Sequence, residues 1–465
     1  MELFQHQKEG IYFLKEKKKA ILADQQGIGK TRQAIIAARE SGSKGVLVIC
    51  PASIKINWQR EIAMVYPDEF VQVIKSGQEP TLIVAHWYVI NYDLLGKYSQ
   101  AIEDKMYSWI ETVIVDECQM VKGKKTIRSE ATIKIAQRAS KVYCLTGTPV
   151  MNRPIEIFNI LRCIDHPLTN ERGWLGIKKP TPSKIRSEFG RRYCNAFLQT
   201  IPTKRGLIRV WNEQGASRLP ELKEKIADRF LRRTKNEVLD LPEKIITTEK
   251  VTITPEYKKE YDSAWDDYLE WVSNNPEGKD VEGILTAKQL VELIKLRQIC
   301  SRAKVDRIVD DVRNMIDAEE KVIIFSNFVE TINALKMELP ESVSLTGGDT
   351  TDARQESVDR FQNDPSVKVF IANIKAGGVG INLTAASIVI FADMDWSPAI
   401  NEQCEDRAHR IGQNGTLSVY YYVIEDSIEE DIMDVLRGKK EVIEGVVGGD
   451  GAVLSRIGLR VTNKL

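Results

Sequence analysis

Short apolar runs alternate with amphipathic stretches in two blocks of the chain. In the first block the runs 20–23, 44–51 ("KGVLVICP"), 81–85 ("TLIVA"), 112–117 ("TVIVDE") and 141–149 ("KVYCLTGTP") are β-rich and end in turn signals. Between them the spacing predicts helices: in "IKINWQREIAMVYP", Ile54, Trp58, Ile62 and Val65 share one face. Buried runs alternating with helices predict a parallel sheet covered on both faces. The same alternation returns at 321–325, 342–345, 367–372, 387–392 and 417–423, with a helix over 352–362. Between the blocks, 166–300 reads as basic and helical, with few buried strand runs and its clearest loop at 273–283. The expected fold is α/β, with a first lobe over 1–165, a helical insertion and linker over 166–300, and a second lobe over 301–465. The tail 427–448 reads as helix until its glycines.

Composition narrows the class. A chain of 465 residues exceeds one ordinary core, and 28% charged residues leave no apolar run long enough to span a bilayer. The N-terminus lacks the apolar core and cleavage site of a signal peptide. Seven cysteines, none paired as C-x-x-C, predict reduced thiols in a cytosolic protein rather than disulfides or a zinc ribbon. Lys plus Arg and Asp plus Glu both count 66. Any polyanion must therefore meet a local basic groove, not a global field.

Three stretches carry chemistry. "ILADQQGIGKTRQAI" (21–35) sets a strand, a loop with Gly27 and Gly29, and a helix starting near Thr31. That is the context of a phosphate loop: backbone N–H groups face the anion, Lys30 reaches the outer phosphates, and Thr31 ligates magnesium. The strict motif has Gly where Asp24 stands, so the same letters also suit a glycine turn before a helix. "VIVDECQ" (113–119) ends an apolar strand in Asp116 and Glu117. A magnesium-nucleotide site needs one carboxylate for the metal shell and a second to orient water. "QCEDRAHRIGQ" (403–413) puts Arg407 and Arg410 three apart, on one face of an expected helix, as arginines that neutralise a phosphoryl group in transfer; a solvated basic face is the plain alternative.

Taken in order, these motifs with "LFQHQKEGIYFL", "VICPASIKINWQREI", "VINYDLL", "LTGTPVMN", "FLRRTKNEVLDLP", "LRQIC" and "IKAGGVGINLTAAS" resemble the SWI/SNF-type helicase-like ATPases of superfamily two, and "FGRRYCNAF" and "INYDLL" resemble their annealing-helicase branch. The resemblance covers almost the whole chain. It implies two RecA-like lobes and a C-terminal brace helix packing across both. It implies Gln7 on the adenine and Asp24 as the family's usual residue in the phosphate loop. Thr146 and Thr148 couple the acids to the DNA surface, Gln413 closes the arginine motif, and Gly378 and Gly380 lie on the loop linking ATP to DNA. Ser53, Asn91, Tyr92, Asn382, Thr384 and Trp396 are expected to contact or shape the DNA path. Gln119, Met151 and Ser397 stand where the family usually has His, Gln and Asn. The expected activity is an ATP- and magnesium-dependent double-stranded DNA translocase, monomeric and not membrane-bound, with DNA-bound proteins as further partners. A strand-separating DNA or RNA helicase and a non-hydrolysing scaffold are the rivals; no wedge segment is visible in the sequence.

Overall fold

The structure is a computed structural model, and it describes residues 3–78, 81–106, 108–123, 126–147, 154–170, 173–174, 181–203, 206–213, 215–274, 287–378 and 380–443. The chain divides into two units, Met1–Asp240 and Leu241–Leu465. The segment 166–300 is shared between them.

The first unit contains β1 (Lys19–Leu22), β2 (Gly45–Cys50), β3 (Val71–Val73), β4 (Trp87–Asn91), β5 (Ile110–Val115), β6 (Lys141–Leu145), β7 (Phe197–Thr203), β8 (Gly206–Asn212) and β9 (Phe230–Leu231). Seven of these form one parallel sheet in the order β3-β4-β2-β5-β6-β1-β9, while β7 and β8 pair only with each other, antiparallel. Every residue of β2 and β4 is buried, so both faces of the sheet centre are covered, as expected for a parallel sheet. The expected strand at 81–85 does not form. Ile83 and Val84 are half-exposed or more, and the backbone there bonds to side chains: Gln72 Nε2 donates to the Thr81 carbonyl and Tyr88 Oη to that of Ile83. The place beside β2 belongs to "WYVIN" at β4, whose aromatic and β-branched residues bury completely.

The second unit has a six-stranded parallel sheet, ordered β10-β15-β14-β11-β13-β12, from β10 (Lys244–Val251), β11 (Val322–Ser326), β12 (Val343–Leu345), β13 (Val369–Asn373), β14 (Ile388–Phe391) and β15 (Leu417–Ile424). Two parallel sheets with helical crossovers meet the α/β expectation. The surprises lie in the stretch read as helical. Strand β10 pairs with β15 along all its residues as a half-exposed edge, and the β7–β8 hairpin interrupts the helices. The C-terminal helix Ile428–Ile443 buries Ile428, Ile432, Met433 and Leu436 in the second unit's core. There Lys304 and Glu429, both buried, pair at 2.7 Å. The end of the expected brace, 444–448, lies outside the described residues.

Candidate active site

In a parallel α/β sheet the loops after the strands' carboxyl ends gather on one edge, and that edge is where ligands bind. In the first unit β1 runs into the loop holding Gly27 and Gly29, β2 into Ser53, β4 into Tyr92, β5 into Asp116 and Glu117, and β6 into Thr146. Five separate sequence motifs thus share one edge.

Gly27 and Gly29 adopt φ of 84° and 88°, the left-handed region that favours glycine. Gly29 sits at the N-cap of helix Lys30–Glu40, and a Cβ there would meet Gln7 Nε2 at 2.4 Å. Gln7 is buried and donates weakly to the Ile28 carbonyl, at 3.4 Å, so it lies directly against the loop. Lys30 Nζ donates to the carbonyls of Asp24 and Gln25 at 2.7 and 3.1 Å. Asp24 is no defect in the loop. Its fully buried carboxylate receives Arg233 Nη2 at 2.6 Å and Arg233 Nε at 3.0 Å. Arg233 comes from "FLRRTKNEVL", whose start forms β9 beside β1; the Gln25 N–H donates to the Arg233 carbonyl and the Lys235 N–H to Gln25 Oε1.

Asp116 accepts from Trp58 Nε1 at 2.8 Å and from the Glu117 N–H at 2.9 Å. Burial pushes its carboxyl up to about 7; the neighbouring Glu117 adds to the rise, while the Trp58 hydrogen bond and Lys30 oppose it. The spacing places Trp58 on an apolar helical face. It is fully buried, and it also holds the acid. Glu117 adopts φ 49°, and its carboxylate accepts from Gln119 Nε2 at 2.6 Å. Gln119 Oε1 accepts in turn from Thr146 Oγ1 at 2.9 Å. A continuous line of hydrogen bonds joins Thr146 to Glu117 through the residue that departs from the family's usual His. Thr148 and Met151 lie outside the described residues.

Asn91 is buried and accepts from Lys55 Nζ at 3.1 Å. Tyr92 is buried too, and its hydroxyl donates to the Asp116 carbonyl at 2.6 Å. Ser53 is half-buried in a single turn ahead of helix Lys55–Val65.

In the second unit Arg407 and Arg410 are not on a helix, contrary to the expected shared face. Helix Pro398–Glu405 ends first, and both arginines sit in the irregular turns that follow. Those turns are pinned from several sides. Arg407 is buried with Nε on the Gln403 carbonyl at 3.1 Å, His409 Nε2 contacts the Pro242 carbonyl at 2.9 Å, and Gln413 Nε2 donates to the Ala386 carbonyl at 2.7 Å. Arg410 lies 3.4 Å from the Ile381 carbonyl. Gly380 adopts φ 69°, and a Cβ on Gly378 would meet the Ile374 carbonyl at 2.8 Å. Asn382 is exposed, and Thr384 accepts from Gln362 Nε2 at 3.3 Å. Trp396 is half-buried with the Arg297 guanidinium 4.5 Å from its ring centre. Arg297, from "LRQIC", is itself buried and donates to the Met394 carbonyl. Among the described residues no group of three His, Cys, Asp or Glu could hold a metal, and no helix is long and apolar enough to cross a membrane.

The SNF2-related domain family matches residues 6–325, and the helicase conserved C-terminal domain matches residues 303–412. The chain belongs to the SNF2-related family. An uncharacterized ATP-dependent helicase of Mycoplasma genitalium, MG018, is 30% identical over 480 residues, covering 95% of this chain and 42% of that protein. The mouse DNA annealing helicase and endonuclease ZRANB3 is 29% identical over 465 residues, covering 96% of this chain and 41% of that protein. This SNF2-related chain therefore spans about two fifths of the length of these relatives. A Sulfolobus solfataricus SWI2/SNF2 ATPase core solved with double-stranded DNA is 26% identical, covering 99% of this chain and 97% of that one, with a TM-score of 0.42.

Proposed function

We propose that the protein is an ATP-dependent translocase on double-stranded DNA, remodelling DNA or protein–DNA complexes. The observation that carries this reading is the convergence of the phosphate loop, Asp116 and Glu117 on one edge of a parallel sheet. The left-handed glycines at 27 and 29 and the N-terminus of helix Lys30–Glu40 suit a phosphate chain. Lys30 exchanges its loop carbonyls for the outer phosphates, and Gln7, packed against Gly29, reads the adenine. The hydroxyl of Thr31 and the carboxylate of Asp116 are hard oxygen donors. They fit magnesium, which takes one or two protein ligands and completes its shell with phosphate and water oxygens. Bound there, it would neutralise phosphate charge. Glu117, its carboxylate held by Gln119, orients the attacking water.

Arg407, Arg410, Gln413 and Gly380 take their roles from their match to the family's motifs: the arginines neutralise the phosphoryl group in transfer, Gln413 fixes their turn, and Gly380 frees the loop beside them. On the DNA path, Asn382 and Thr384 reach phosphates, and Ser53 does so from the first unit. Asn91, Tyr92 and Trp396, buried or stacked on Arg297, shape the path. Phosphate contacts suit a motor that ignores sequence. The protein acts as a monomer, and DNA-bound proteins are what it displaces. The activity named for ZRANB3, a DNA annealing helicase, supports a DNA substrate.

The test is steady-state ATPase with duplex, with single strands and without DNA, with Lys30→Ala as blank. Duplex should stimulate, Lys30→Ala should be silent, and Glu117→Gln should bind ATP yet not turn it over. Stimulation by single strands alone would give the reading to a strand-separating helicase. Turnover by Lys30→Ala would remove the phosphate loop from the site.

A further inference from the structure

Strand β10 ends the second unit's sheet, with β15 on one side and, among the described residues, no strand on the other. An open edge is a row of backbone donors and acceptors that can pair with another chain. Folded proteins guard it with a bulge, a proline, a short strand or outward lysines. In β10 those guards are missing. It pairs with β15 in unbroken register over eight residues, about 26 Å at roughly 3.3 Å per residue, and it contains no proline. Its two lysines are drawn aside onto helices: Lys244 Nζ donates to Glu405 at 2.6 Å and Lys250 Nζ to Glu430 at 2.9 Å. Ile245 and Ile246, on opposite faces of the strand, are 46% and 44% exposed.

A cavity of about 90 Å³ lies over the same strand. Ile246 and Thr248 of β10 and Tyr421 of β15 floor it, Met433 and Leu436 of the C-terminal helix wall it, and Glu402 lends it a polar side. A strand laid beside β10 would sit roughly 4.8 Å away, with every second side chain on the face of Ile246 and Thr248. One of those side chains reaches the cavity. Backbone pairing along an edge, with a pocket for an alternate side chain, is how sheet edges read extended peptides. Charge sets the class of occupant. Both lysines of the strand are neutralised, while Glu402 lies near Lys244, Glu425 and Asp426 lie near Lys250, and Glu249 is on the strand itself. That surplus of acid repels a polyanion and suits a polypeptide without acids of its own. We propose that β10 docks an extended segment of a partner protein as an added strand, with one aliphatic side chain seated in the cavity and neutral or basic residues beside it. Such docking would tether the motor to that partner, and it does not depend on how the ATP site works.

The probe is a fluorescent synthetic peptide about as long as β10, alternating leucine with lysine and threonine. Its two controls carry N-methyl groups on every second residue, one in each phase, so that side chains and charge are kept while one row of backbone donors is lost. Binding to the full chain is read by anisotropy, and the strand by amide hydrogen exchange. Wild type should bind the plain peptide. Methylation in one phase should weaken binding by about tenfold or more, since several backbone bonds are lost, and in the other phase should change it little. The amides of 244–251 should gain protection. Ile246→Ser and Glu402→Lys, both at partly exposed positions and checked for folding by circular dichroism, should each weaken binding several-fold and keep the duplex-stimulated ATPase. Equal binding in both phases, protection outside 244–251, or no binding by wild type overturns the proposal. So does full protection of these amides in the free protein, because the edge is then already covered by this chain or by a second copy. Protection by duplex DNA in place of the peptide overturns it too and gives the edge to nucleic acid. If duplex fails to stimulate wild-type ATPase, the motor reading has failed, and the peptide result still decides the docking.

Discussion

Asp116, the acid proposed to hold magnesium, carries a proton at unusually high pH. Burial raises Asp116 to about 7, so between the ordinary carboxylate range and 7 the folded chain keeps a proton that the unfolded chain has shed. This contribution therefore makes stability fall as pH rises through that window. Metal binding has the opposite sign, since the metal competes with the proton. Magnesium affinity should rise from about pH 6 and level off near about pH 8. Trp58→Phe removes a hydrogen bond that favours the carboxylate, so the rise should move to higher pH. Calorimetric titration of magnesium and nucleotide across that range checks both, and a flat profile in wild type would take Asp116 out of the metal site. At the same scale, Arg233→Ala strands the buried Asp24 carboxylate and should cost about 3–5 kcal/mol. Adding Asp24→Asn should recover part of that loss, because the uncompensated charge is gone; denaturant midpoints of the two variants decide it. The motif letters of this site were legible in the sequence. The Asp24–Arg233 pair was not, because its partners lie 209 residues apart and neither periodicity nor spacing links them. Trp58 was legible as an apolar-face residue, but its indole N–H has no signature in a hydrophobic pattern.

Elements repeat the lesson with a different cause. Strands that are wholly buried, such as β2 and β11, were readable because a short unbroken apolar run bounded by turn signals suits a sheet centre covered on both faces. The run 81–85 looked the same but has no slot beside β2, and β10, half-exposed at an edge, carries too few buried positions to announce itself. The turns of 406–413 were read as helix because Arg407 and Arg410 are spaced for one; what places them instead is the local bond from Arg407 to the Gln403 carbonyl together with tertiary bonds from His409 and Gln413. Loss of either arginine should lower DNA-stimulated kcat by a factor on the order of 10³ while leaving ATP affinity nearly unchanged. The two act as a unit, so the double variant should be little worse than either single one. Single-turnover rates with nucleotide-binding controls measure this, and full activity in both single variants would return the pair to an ordinary basic surface. The Gln119 bridge between Thr146 and Glu117 gives a parallel case. Gln119→Ala should lower kcat with ATP affinity kept, since only the aim of the Glu117 carboxylate is lost. A rise in KM with kcat unchanged would make Gln119 a binding residue instead.

At the scale of the whole molecule the question is what the ATP cycle does to DNA. A motor that follows the backbone of an intact duplex breaks no base pairs. An unwinder must supply about 1.4 kcal/mol of stacking at each step and needs an element to part the strands. Among the described residues the β7–β8 hairpin lies outside both parallel sheets, but its seven paired positions make only a short ribbon, little to drive between many base pairs. Membership of the SNF2-related family points the same way. With ATP, the protein should therefore displace the third strand of a triplex, whose removal leaves the underlying duplex intact, and should not separate a long blunt duplex. Lys30→Ala in the same buffer is the blank for both assays. Efficient ATP-dependent separation of the blunt duplex would show that the advance is coupled to strand parting and would give the reading to the strand-separating alternative.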